Sequence, residues 1–355
     1  MSAPHSTLPV TVLTGFLGAG KTTLLNSLLR RPKMADTAVL INEFGEIGID
    51  HLLVEKIDDE LVLLDSGCLC CTLRGDLTRA LKDLFMRRLR REIPAFSRVL
   101  VETTGLADPA PLVHVLQEDF FVAERFRLDG VATAVDALNV DRQLSRHFEA
   151  VKQVAMADRL LVTKCDLAGA EALPRVDALL NRLNPGAPRV MVWRGEVAAE
   201  SVLGCGLYDA SRKSPDVAAW LAHEAAKAAA GDGHAHAHDT NRHDAMVRAH
   251  VLTFDAPFAW PGFAEAIDVL LATCGERILR VKGLVHVENL PGPRVVHAVG
   301  HLRYPSTDLD DWPQSGPLAD RRSRLVFIVR GLAPAVIGKA FEMFSGQLAA
   351  GEALQ

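Results

Sequence analysis

Short apolar runs recur along the first half of the chain, and polar or helical stretches separate them. The runs are Val10–Leu13, Ala38–Ile41, Leu61–Leu64, Arg98–Val101, Gly130–Val135, Leu160–Val162 and Arg189–Val192. Runs with apolar residues on both faces are typical of parallel strands buried on both sides of a sheet. Helical patterns lie between them at Lys21–Arg31, Leu73–Arg91 and Glu171–Leu183. This alternation predicts a doubly wound, mostly parallel α/β domain over residues 1–207.

The pattern changes over residues 208–247, which are rich in Ala, Asp and His. We expect an Ala-rich helix and a linker there. Strand patterns return after this stretch, and helical patterns alternate with them. The strands are expected at His250–Phe254, Ile278–Val287, Val295–Leu302 and Leu325–Val329, and the helices at Pro261–Thr273 and Pro334–Phe344. These elements predict a second, smaller α+β domain over residues 248–355.

The segment Gly15–Thr22 matches the phosphate-binding pattern Gly-x-x-x-x-Gly-Lys-Thr and lies between a predicted strand and a predicted helix. Glycines let backbone N–H groups approach phosphate oxygens, and the helix N-terminus adds a positive dipole. We expect Lys21 to reach the β- and γ-phosphates, and the Thr22 hydroxyl to bind Mg²⁺. The predicted phosphate contacts are Gly15, Gly18, Ala19, Gly20, Lys21, Thr22 and Thr23.

The tetrapeptide Thr163-Lys164-Cys165-Asp166 follows a predicted strand, at the edge of the sheet where doubly wound folds bind ligands. The Asp166 carboxylate is able to accept hydrogen bonds from N1–H and N2–H₂ of guanine, a donor pair that adenine lacks. The alkyl stem of Lys164 is able to pack along the base. These two residues therefore predict GTP rather than ATP as the ligand.

Glu102 ends another predicted strand and is expected to hold Mg²⁺, directly or through water. Lys21, Thr22 and Glu102 are accordingly the predicted catalytic residues. The polar segment Asn42–Asp50 is interpreted as a first switch loop, and Gly105 is expected to let a second segment rearrange around the γ-phosphate. Which acidic residue of the first loop orients water or metal stays open.

Three cysteines, Cys68, Cys70 and Cys71, lie within four residues between these two candidate switch segments. Thiolates are soft ligands suited to Zn²⁺ or Cu⁺, and three of them leave one tetrahedral position open. An open position favours transfer of a metal over permanent storage. The alternative is a buried, inert cysteine cluster. The residues His234, His236 and His238 are either weak metal ligands or part of a polar linker.

Composition narrows the choice of partners and compartment. The formal net charge of −5 gives no electrostatic indication of nucleic acid or anionic membrane binding. No apolar run approaches the length of a membrane span, and the first residues lack the pattern of a signal peptide. Six cysteines in a chain of 355 residues do not form a disulfide framework. We therefore expect a cytoplasmic protein with free or metal-bound thiols.

Five motifs occur in a fixed order and together resemble those of the CobW-like metallochaperone GTPases. They are Gly15–Thr22, Asn42-Glu43-x-Gly45, Gly67-Cys68-Leu69-Cys70-Cys71, Glu102-x-x-Gly105 and Thr163-Lys164-x-Asp166. Segments of the second half, Leu279–Gly283 and Arg322–Phe327, also resemble the CobW carboxy-terminal domain. The resemblance implies GTP hydrolysis coupled to delivery of Zn²⁺ or Co²⁺ to a client metalloprotein, with Cys68, Cys70 and Cys71 as the metal ligands. Thr163 departs from the Asn that many GTPases have at this position.

Two other functions remain compatible with these motifs. One is a metal buffer or sensor in which the nucleotide has only a structural role. The other is a P-loop kinase for a small molecule, although no acceptor pocket is recognisable in the sequence. If the chain is a metallochaperone, delivery of cobalt for cobalamin or nitrile hydratase is an alternative to delivery of zinc. The sequence also leaves open whether the protein forms a homo-oligomer.

Overall fold

The computed structural model describes residues 7–41, 63–65, 73–205, 247–312 and 318–349. Two compact units account for the chain, one formed by residues 1–177 with 188–207 and the other by residues 178–187 with 208–355. The predicted domain borders at residues 207 and 247 stay predictions. The predicted linker lies almost entirely outside the described residues, as do the histidines at 234, 236 and 238.

The first unit is built on a seven-stranded sheet in the order β3-β2-β4-β1-β5-β6-β7, and every pair of neighbouring strands is parallel. The strands are β1 Leu8–Gly15, β2 Thr37–Ile41, β3 Leu63–Asp65, β4 Arg98–Glu102, β5 Phe126–Asp136, β6 Arg159–Thr163 and β7 Arg189–Met191. The predicted doubly wound α/β fold is confirmed.

Helices connect these strands. They are α1 Lys21–Leu29, α2 Leu73–Leu89, α3 Ala110–Glu118, α4 Phe120–Arg125, α5 Val140–Arg146, α6 Phe148–Met156, α7 Cys165–Ala168 and α8 Leu173–Leu183. The sequence pattern located α1, α2 and α8 within two residues at each end, but α3 to α7 were not predicted. Helix α1 ends before its predicted limit because Arg31, the residue before Pro32, is extended, and Pro32 then begins a 3₁₀ turn.

Strand β5 begins earlier than predicted, at Phe126 rather than Gly130. Polar residues break the apolar run near its start, and the pairing with β1 shifts register between Val10 and Thr11. The Asp129 carboxylate accepts hydrogen bonds there from the Thr11 hydroxyl and from the Gly204 N–H, both at 2.7 Å. The start of β5 is polar and is held by these long-range hydrogen bonds, so no apolar run in the sequence marks it as a strand.

The second unit contains an antiparallel sheet in the order β11-β10-β9-β13-β8, with β12 paired to β10. Its strands are β8 Val247–Phe254, β9 Ile278–Val285, β10 Arg294–Val299, β11 Leu302–Arg303, β12 Thr307–Asp308 and β13 Ser323–Arg330. Helices α9 (Trp260–Cys274) and α10 (Pro334–Ser345) pack on this sheet around Phe254, Phe258, Phe263, Phe327 and Phe341. The predicted smaller α+β domain is confirmed.

One predicted strand of this unit, Val295–Leu302, is two strands in the structure. Gly300 separates β10 from β11 and has a φ of 57°, a conformation that glycine adopts without strain. No helix among the described residues is both long enough and apolar enough to cross a membrane.

Candidate functional site

The phosphate-binding segment connects β1, which ends at Gly15, to α1, which begins at Lys21. Gly15, Gly18 and Gly20 have φ values of 144°, 72° and 85°. A Cβ atom at Gly15 would lie 2.4 Å from the carbonyl oxygen of Ala134 on β5, so no larger residue fits there. The loop that the sequence predicted is therefore present, with its tight approach to the sheet fixed by glycine.

Lys21 lies at the N-terminus of α1, and its ammonium group folds back over the loop. Its Nζ donates to the carbonyl oxygens of Gly15 at 3.0 Å and Phe16 at 3.5 Å. Thr22 and Thr23 follow in the first turn of the helix. A lysine ammonium group and the N-terminus of a helix together give a site for an anion.

Helices α5 and α6 support the outer side of this loop. Phe16 stacks on the His147 imidazole at a centroid distance of 4.6 Å, and Gln143 Nε2 donates to the Leu17 carbonyl at 3.4 Å. Neither contact was predicted, because Gln143 lies in α5 and His147 lies between α5 and α6, two helices that the sequence pattern did not reveal.

Glu102 is the last residue of β4 and is 5% exposed. It pairs in register with Leu13 of β1 and Ile41 of β2, so the strand delivers it to the same edge of the sheet as the phosphate loop. The next residue, Thr103, donates from its hydroxyl to the Thr14 hydroxyl at 2.8 Å, which ties the end of β4 to β1. The carboxylate of Glu102 and the hydroxyl of Thr22 are hard oxygen ligands of the kind that Mg²⁺ prefers.

The segment after Glu102 packs directly against the phosphate loop. A Cβ atom at Gly105 would lie 2.7 Å from the Leu17 amide nitrogen and 2.7 Å from its Cδ2. The buried Gln153 of α6 donates from Nε2 to the carbonyls of Gly105 at 3.2 Å and Ala107 at 2.9 Å. Direct contacts thus connect the phosphate loop, the segment after β4 and helix α6.

Thr163 and Lys164 take roles that the sequence did not predict. The buried Thr163 hydroxyl donates to the Ala19 carbonyl at 2.8 Å and lies 3.1 Å from the Val135 carbonyl, so it joins β6 to the phosphate loop. Lys164 Nζ donates to Asp136 at 2.7 Å, and its backbone φ is 59°. The departure from Asn at position 163 therefore supplies a contact to the loop itself.

Asp136, at the end of β5, is the residue that sequence reasoning missed here. Its carboxylate is almost fully buried and accepts from Lys164 Nζ, Asn139 Nδ2 and the Leu138 N–H at 2.7–2.9 Å. Burial alone would raise the pKa of Asp136, but these hydrogen bonds outweigh it and lower the pKa below its ordinary value. An Asp directly after an apolar run, at the carboxyl end of a strand, was the signal in the sequence.

Asp166 is exposed, and its Oδ1 accepts from the Arg194 N–H at 2.9 Å. This bond draws the loop after β7 towards the predicted base-recognition residue. The same loop also reaches α1, because a Cβ atom at Gly195 would lie 2.7 Å from the Thr23 side-chain methyl. Arg194 and Gly195 were not predicted as site residues.

The cysteine motif, Cys68, Cys70 and Cys71, lies outside the described residues, as does the first switch segment at 42–50. Within the part of the chain that is described, no group of three His, Cys, Asp or Glu side chains is arranged to hold a metal ion. The buried Cys165 and Cys205 donate to the backbone carbonyls of Val162 and Val202, and burial raises the pKa of the Cys165 thiol.

The elements on either side of the cysteine motif are described. Strand β3 ends at Asp65 and α2 begins at Leu73. Asp65 pairs with Ile41, Ile41 with Glu102, and Glu102 with Leu13, all in parallel register. With strands about 4.8 Å apart, three spacings put the end of β3 about 14 Å from β1. The described strand that precedes the motif therefore ends at the same edge of the sheet as the phosphate loop.

Two family models match the chain. One, described as the nucleotide-binding domain of CobW/HypB/UreG, matches residues 9–191, and the other, described as the cobalamin synthesis protein cobW C-terminal domain, matches residues 247–345. The zinc chaperone YjiA of Escherichia coli is 32% identical over 322 residues, which cover 90% of this chain and 93% of the relative. The zinc chaperone CobW of Sinorhizobium sp is 30% identical over 328 residues, covering 84% and 87% of the two chains.

A solved structure is also similar along nearly the whole chain. The crystal structure of Zn(II)-bound YjiA GTPase from E. coli superposes with a TM-score of 0.68 at 27% sequence identity. The match covers 96% of this chain and 99% of that chain. The likeness therefore includes both units, not the nucleotide-binding part alone.

Proposed function

This chain belongs to the CobW/HypB/UreG family of P-loop GTPases, and on that premise we propose that it is a zinc chaperone. We propose that the bound nucleotide sets its affinity for zinc. It is a GTPase with the CobW arrangement of two domains. The proposal is that Cys68, Cys70 and Cys71 carry Zn²⁺ as cargo and pass it to a client metalloprotein.

In this proposal the nucleotide is held at both of its ends. Gly15 to Thr23 bind the phosphates through the loop and the start of α1, and Lys21 leaves its carbonyl partners to reach the β- and γ-phosphates. Asp166 reads the guanine edge, while Lys164, oriented by the buried Asp136, packs along the base. This division follows from the chemistry of each side chain and from the ends of the strands on which they lie.

Hydrolysis moves the γ-phosphoryl group from GTP to water and gives GDP and phosphate. Thr22 and Glu102 would hold Mg²⁺, which supplies neutralisation of charge on the phosphate oxygens. The positive charge of Lys21 also neutralises charge on the phosphate oxygens. Gly105, packed on Leu17, is the point at which loss of the γ-phosphate would alter the segment after β4. No arginine serves as a finger in this account, so we expect slow turnover without a partner.

The register of the sheet is the observation that supports the proposed coupling between the nucleotide and the zinc site. The continuous path from Asp65 through Ile41 and Glu102 to Leu13 joins the strand before the cysteines to the strand before the phosphate loop. A change at the γ-phosphate therefore acts on neighbouring strand ends rather than across the molecule. We propose that GTP closes the thiolate site and that hydrolysis releases the metal.

Zinc is the preferred cargo in this proposal. Thiolate ligands bind Zn²⁺ more tightly than Co²⁺ in the usual order of affinities, and both relatives compared along most of their length are named zinc chaperones. Cobalt delivery remains a chemical alternative for the same three thiolates.

The proposal is tested by measuring GTP hydrolysis with and without Zn²⁺. We expect Zn²⁺ to change turnover in the native protein, and Cys70→Ala to abolish that change while leaving basal turnover within about twofold. The matched control is Cys274→Ala, which removes a half-exposed thiol in the second unit and should keep the response to zinc. A response to zinc that survives Cys70→Ala would contradict the assignment of the cysteine motif.

A metal buffer with a structural nucleotide predicts a different result. In that case Zn²⁺ binds to the cysteines with the same affinity in every nucleotide state, and hydrolysis does not respond to zinc. The same measurements on the native protein therefore separate the two functions.

A further inference from the structure

A cavity of about 1210 Å³ lies at the amino ends of β1, β4 and β5, and the last turn of α2 and the end of α4 form its outer walls. Strand β1 is eight residues long and runs from Leu8 at this edge to Gly15 at the phosphate loop. At about 3.3 Å per residue, the two ends of the strand are about 23 Å apart. The cavity is therefore separate from the nucleotide site.

Apolar side chains form much of the wall of this cavity. They belong to Leu8, Pro9, Phe85, Leu89, Ala95 and Phe96. Leu89, the last residue of α2, is 66% exposed. A single exposed leucine is common on protein surfaces, but one that continues the apolar wall of a cavity is typical of a binding surface. The wall is therefore suited to an apolar group of a partner.

Two carboxylates line the cavity, and each already has an arginine partner. Glu124 accepts from Arg125 at 3.1 Å. Asp36 forms an ion pair with Arg98, the first residue of β4, at 3.7 Å. Neither carboxylate therefore neutralises a further cation of the lining.

Two further arginines, Arg88 and Arg127, line the cavity and have no carboxylate partner among the residues that the structure describes. The Arg88 guanidinium lies over the Phe96 ring at 5.1 Å from its centroid, and Arg127 Nε donates to the Thr7 carbonyl at 3.4 Å. A guanidinium group that stacks on a ring keeps N–H groups in its plane for paired hydrogen bonds to a carboxylate. Four arginines against two carboxylates give this region a formal charge of +2.

The size and charge of the cavity indicate the class of ligand. Its volume exceeds the roughly 300–1,000 Å³ of usual small-molecule sites. Arginine and aromatic residues supply much of the binding energy of protein interfaces, and both types are present here. The whole chain has a formal charge of −5, so the positive charge is local. A small positive cavity with an apolar wall matches an acidic and apolar protein segment, whereas nucleic acid requires a wide basic surface.

We propose that this cavity binds a segment of a partner protein that carries two carboxylates next to a large apolar side chain. The carboxylates accept hydrogen bonds from Arg88 and Arg127, and the apolar side chain packs against Phe85 and Leu89. Because the cavity and the phosphate loop lie at opposite edges of the sheet, the partner and the nucleotide bind at the same time. This docking site does not depend on the assignment of the zinc ligands.

The test selects ligands for the full-length protein, with Mg²⁺ and GDP bound, from a displayed library of random peptides of about 12 residues, which span about 40 Å when extended. Counter-selection with Arg88→Gln removes peptides that bind elsewhere on the protein. We expect the remaining peptides to combine Asp or Glu with an aromatic or aliphatic residue. Changing their Asp and Glu to Asn and Gln should weaken binding by about tenfold or more in fluorescence anisotropy, because charged hydrogen bonds are lost.

Two further variants examine the charge and the apolar wall separately. Arg127→Gln should weaken the selected peptides by about fivefold or more, and Leu89→Ser by about threefold or more. Leu89 is largely exposed, so its replacement leaves the core unchanged. The matched control is Arg175→Gln, which removes an exposed arginine paired with Asp141 and should not change peptide affinity. Unchanged GDP affinity shows that each variant is folded.

Acidic, apolar peptides that bind more weakly to both Arg127→Gln and Leu89→Ser support the docking site. The proposal is overturned if no peptide remains after counter-selection, if the remaining peptides lack carboxylates, or if Arg127→Gln binds them as well as the native protein does. Sedimentation velocity checks for another occupant. A dimer that is lost in Arg88→Gln would mean that a second copy of the chain fills the cavity, which would also overturn the proposal. None of these results changes the GTPase assignment.

Discussion

Asp136 is a buried charge that orients Lys164, on the side of the site where we propose that the guanine base binds. It fixes Lys164 through an ion pair and holds the loop after β5 through the Leu138 N–H and the Asn139 amide. Lys164 is partly exposed, whereas Asp136 is almost fully buried, so the pair combines a desolvated carboxylate with an accessible ammonium group. This arrangement leaves the stem of Lys164 available for a base.

We predict that Asp136→Asn lowers the free energy of unfolding by about 1–3 kcal/mol at pH 7, because three hydrogen bonds to a charged acceptor are weakened. The folded pKa of Asp136 is lowered, so its contribution is present above the unfolded value of about 3.9 and is lost as the pH falls through the folded pKa. Urea unfolding at several pH values checks this. The gap between native and variant protein should be constant above about pH 5 and shrink below about pH 4.

The control for this prediction is Asp141→Asn. Asp141 forms an ion pair with Arg175 in which both side chains are exposed, so its loss should cost no more than about 1 kcal/mol. If Asp136→Asn cost no more than this control, the buried pair would not have the role assigned to it.

At the scale of elements, the segment after β4 is held between the phosphate loop and α6. Gly105 meets Leu17 without space for a side chain, and Gln153 fixes the carbonyls of Gly105 and Ala107. A change in one of these three elements is therefore passed to the other two by direct contact. This is the physical form that a nucleotide-dependent switch requires.

Gly105→Ala is predicted to lower GTP turnover by about tenfold or more, while GDP affinity changes by less than about threefold. The added methyl group would lie 2.7 Å from the Leu17 backbone, so the segment after β4 must move away from the loop. Steady-state hydrolysis and nucleotide titration measure the two effects.

Gly338→Ala is the matched control for the glycine substitution. Gly338 lies in α10, where an added Cβ has its nearest neighbour at 3.7 Å, so alanine fits. We expect unchanged turnover and a gain in stability of up to about 1 kcal/mol from higher helix propensity. Unimpaired hydrolysis in Gly105→Ala would show that this contact is not part of the switch.

The sequence predicted most elements whose side chains repeat with a clear period. The buried strands of the first unit and helices α1, α2 and α8 were all located, as were the main strands and both helices of the second unit. Helices α3 to α7 were missed because they are short, and most are apolar enough to resemble the strands around them. The short length of α5 and α7, at 7 and 4 residues, leaves little room for a helical period.

The functional site also has a part that the sequence could predict and a part that it could not. Gly15–Thr22 was predictable because its glycines and lysine are contiguous and serve one ligand. The supporting contacts were not, because Asp136 meets Lys164 across 28 residues and Thr163 meets Ala19 across 144. Pairing over such separations depends on the order of strands in the sheet, which local patterns do not determine.

At the scale of the whole molecule, the chain matches the nucleotide-binding domain of CobW/HypB/UreG and the cobW C-terminal domain. Adjacent parallel strands join β1, which leads into the phosphate loop, to β3, the last described strand before the cysteine motif. The central claim is that the nucleotide state sets the affinity for zinc. A nucleotide that binds the zinc-bound and the zinc-free protein equally well cannot change the affinity for zinc. The claim therefore requires a measurable coupling free energy between the nucleotide site and the zinc site.

The most direct test is the Zn²⁺ affinity of the full-length protein under anaerobic conditions, measured with Mg²⁺ and either a non-hydrolysable GTP analogue or GDP. Couplings between sites typically lie at about 1–3 kcal/mol, so we predict zinc binding about 5- to 150-fold tighter with the GTP analogue. The difference should disappear in Cys70→Ala and persist in Cys274→Ala. Equal zinc affinities in the two nucleotide states would contradict the account.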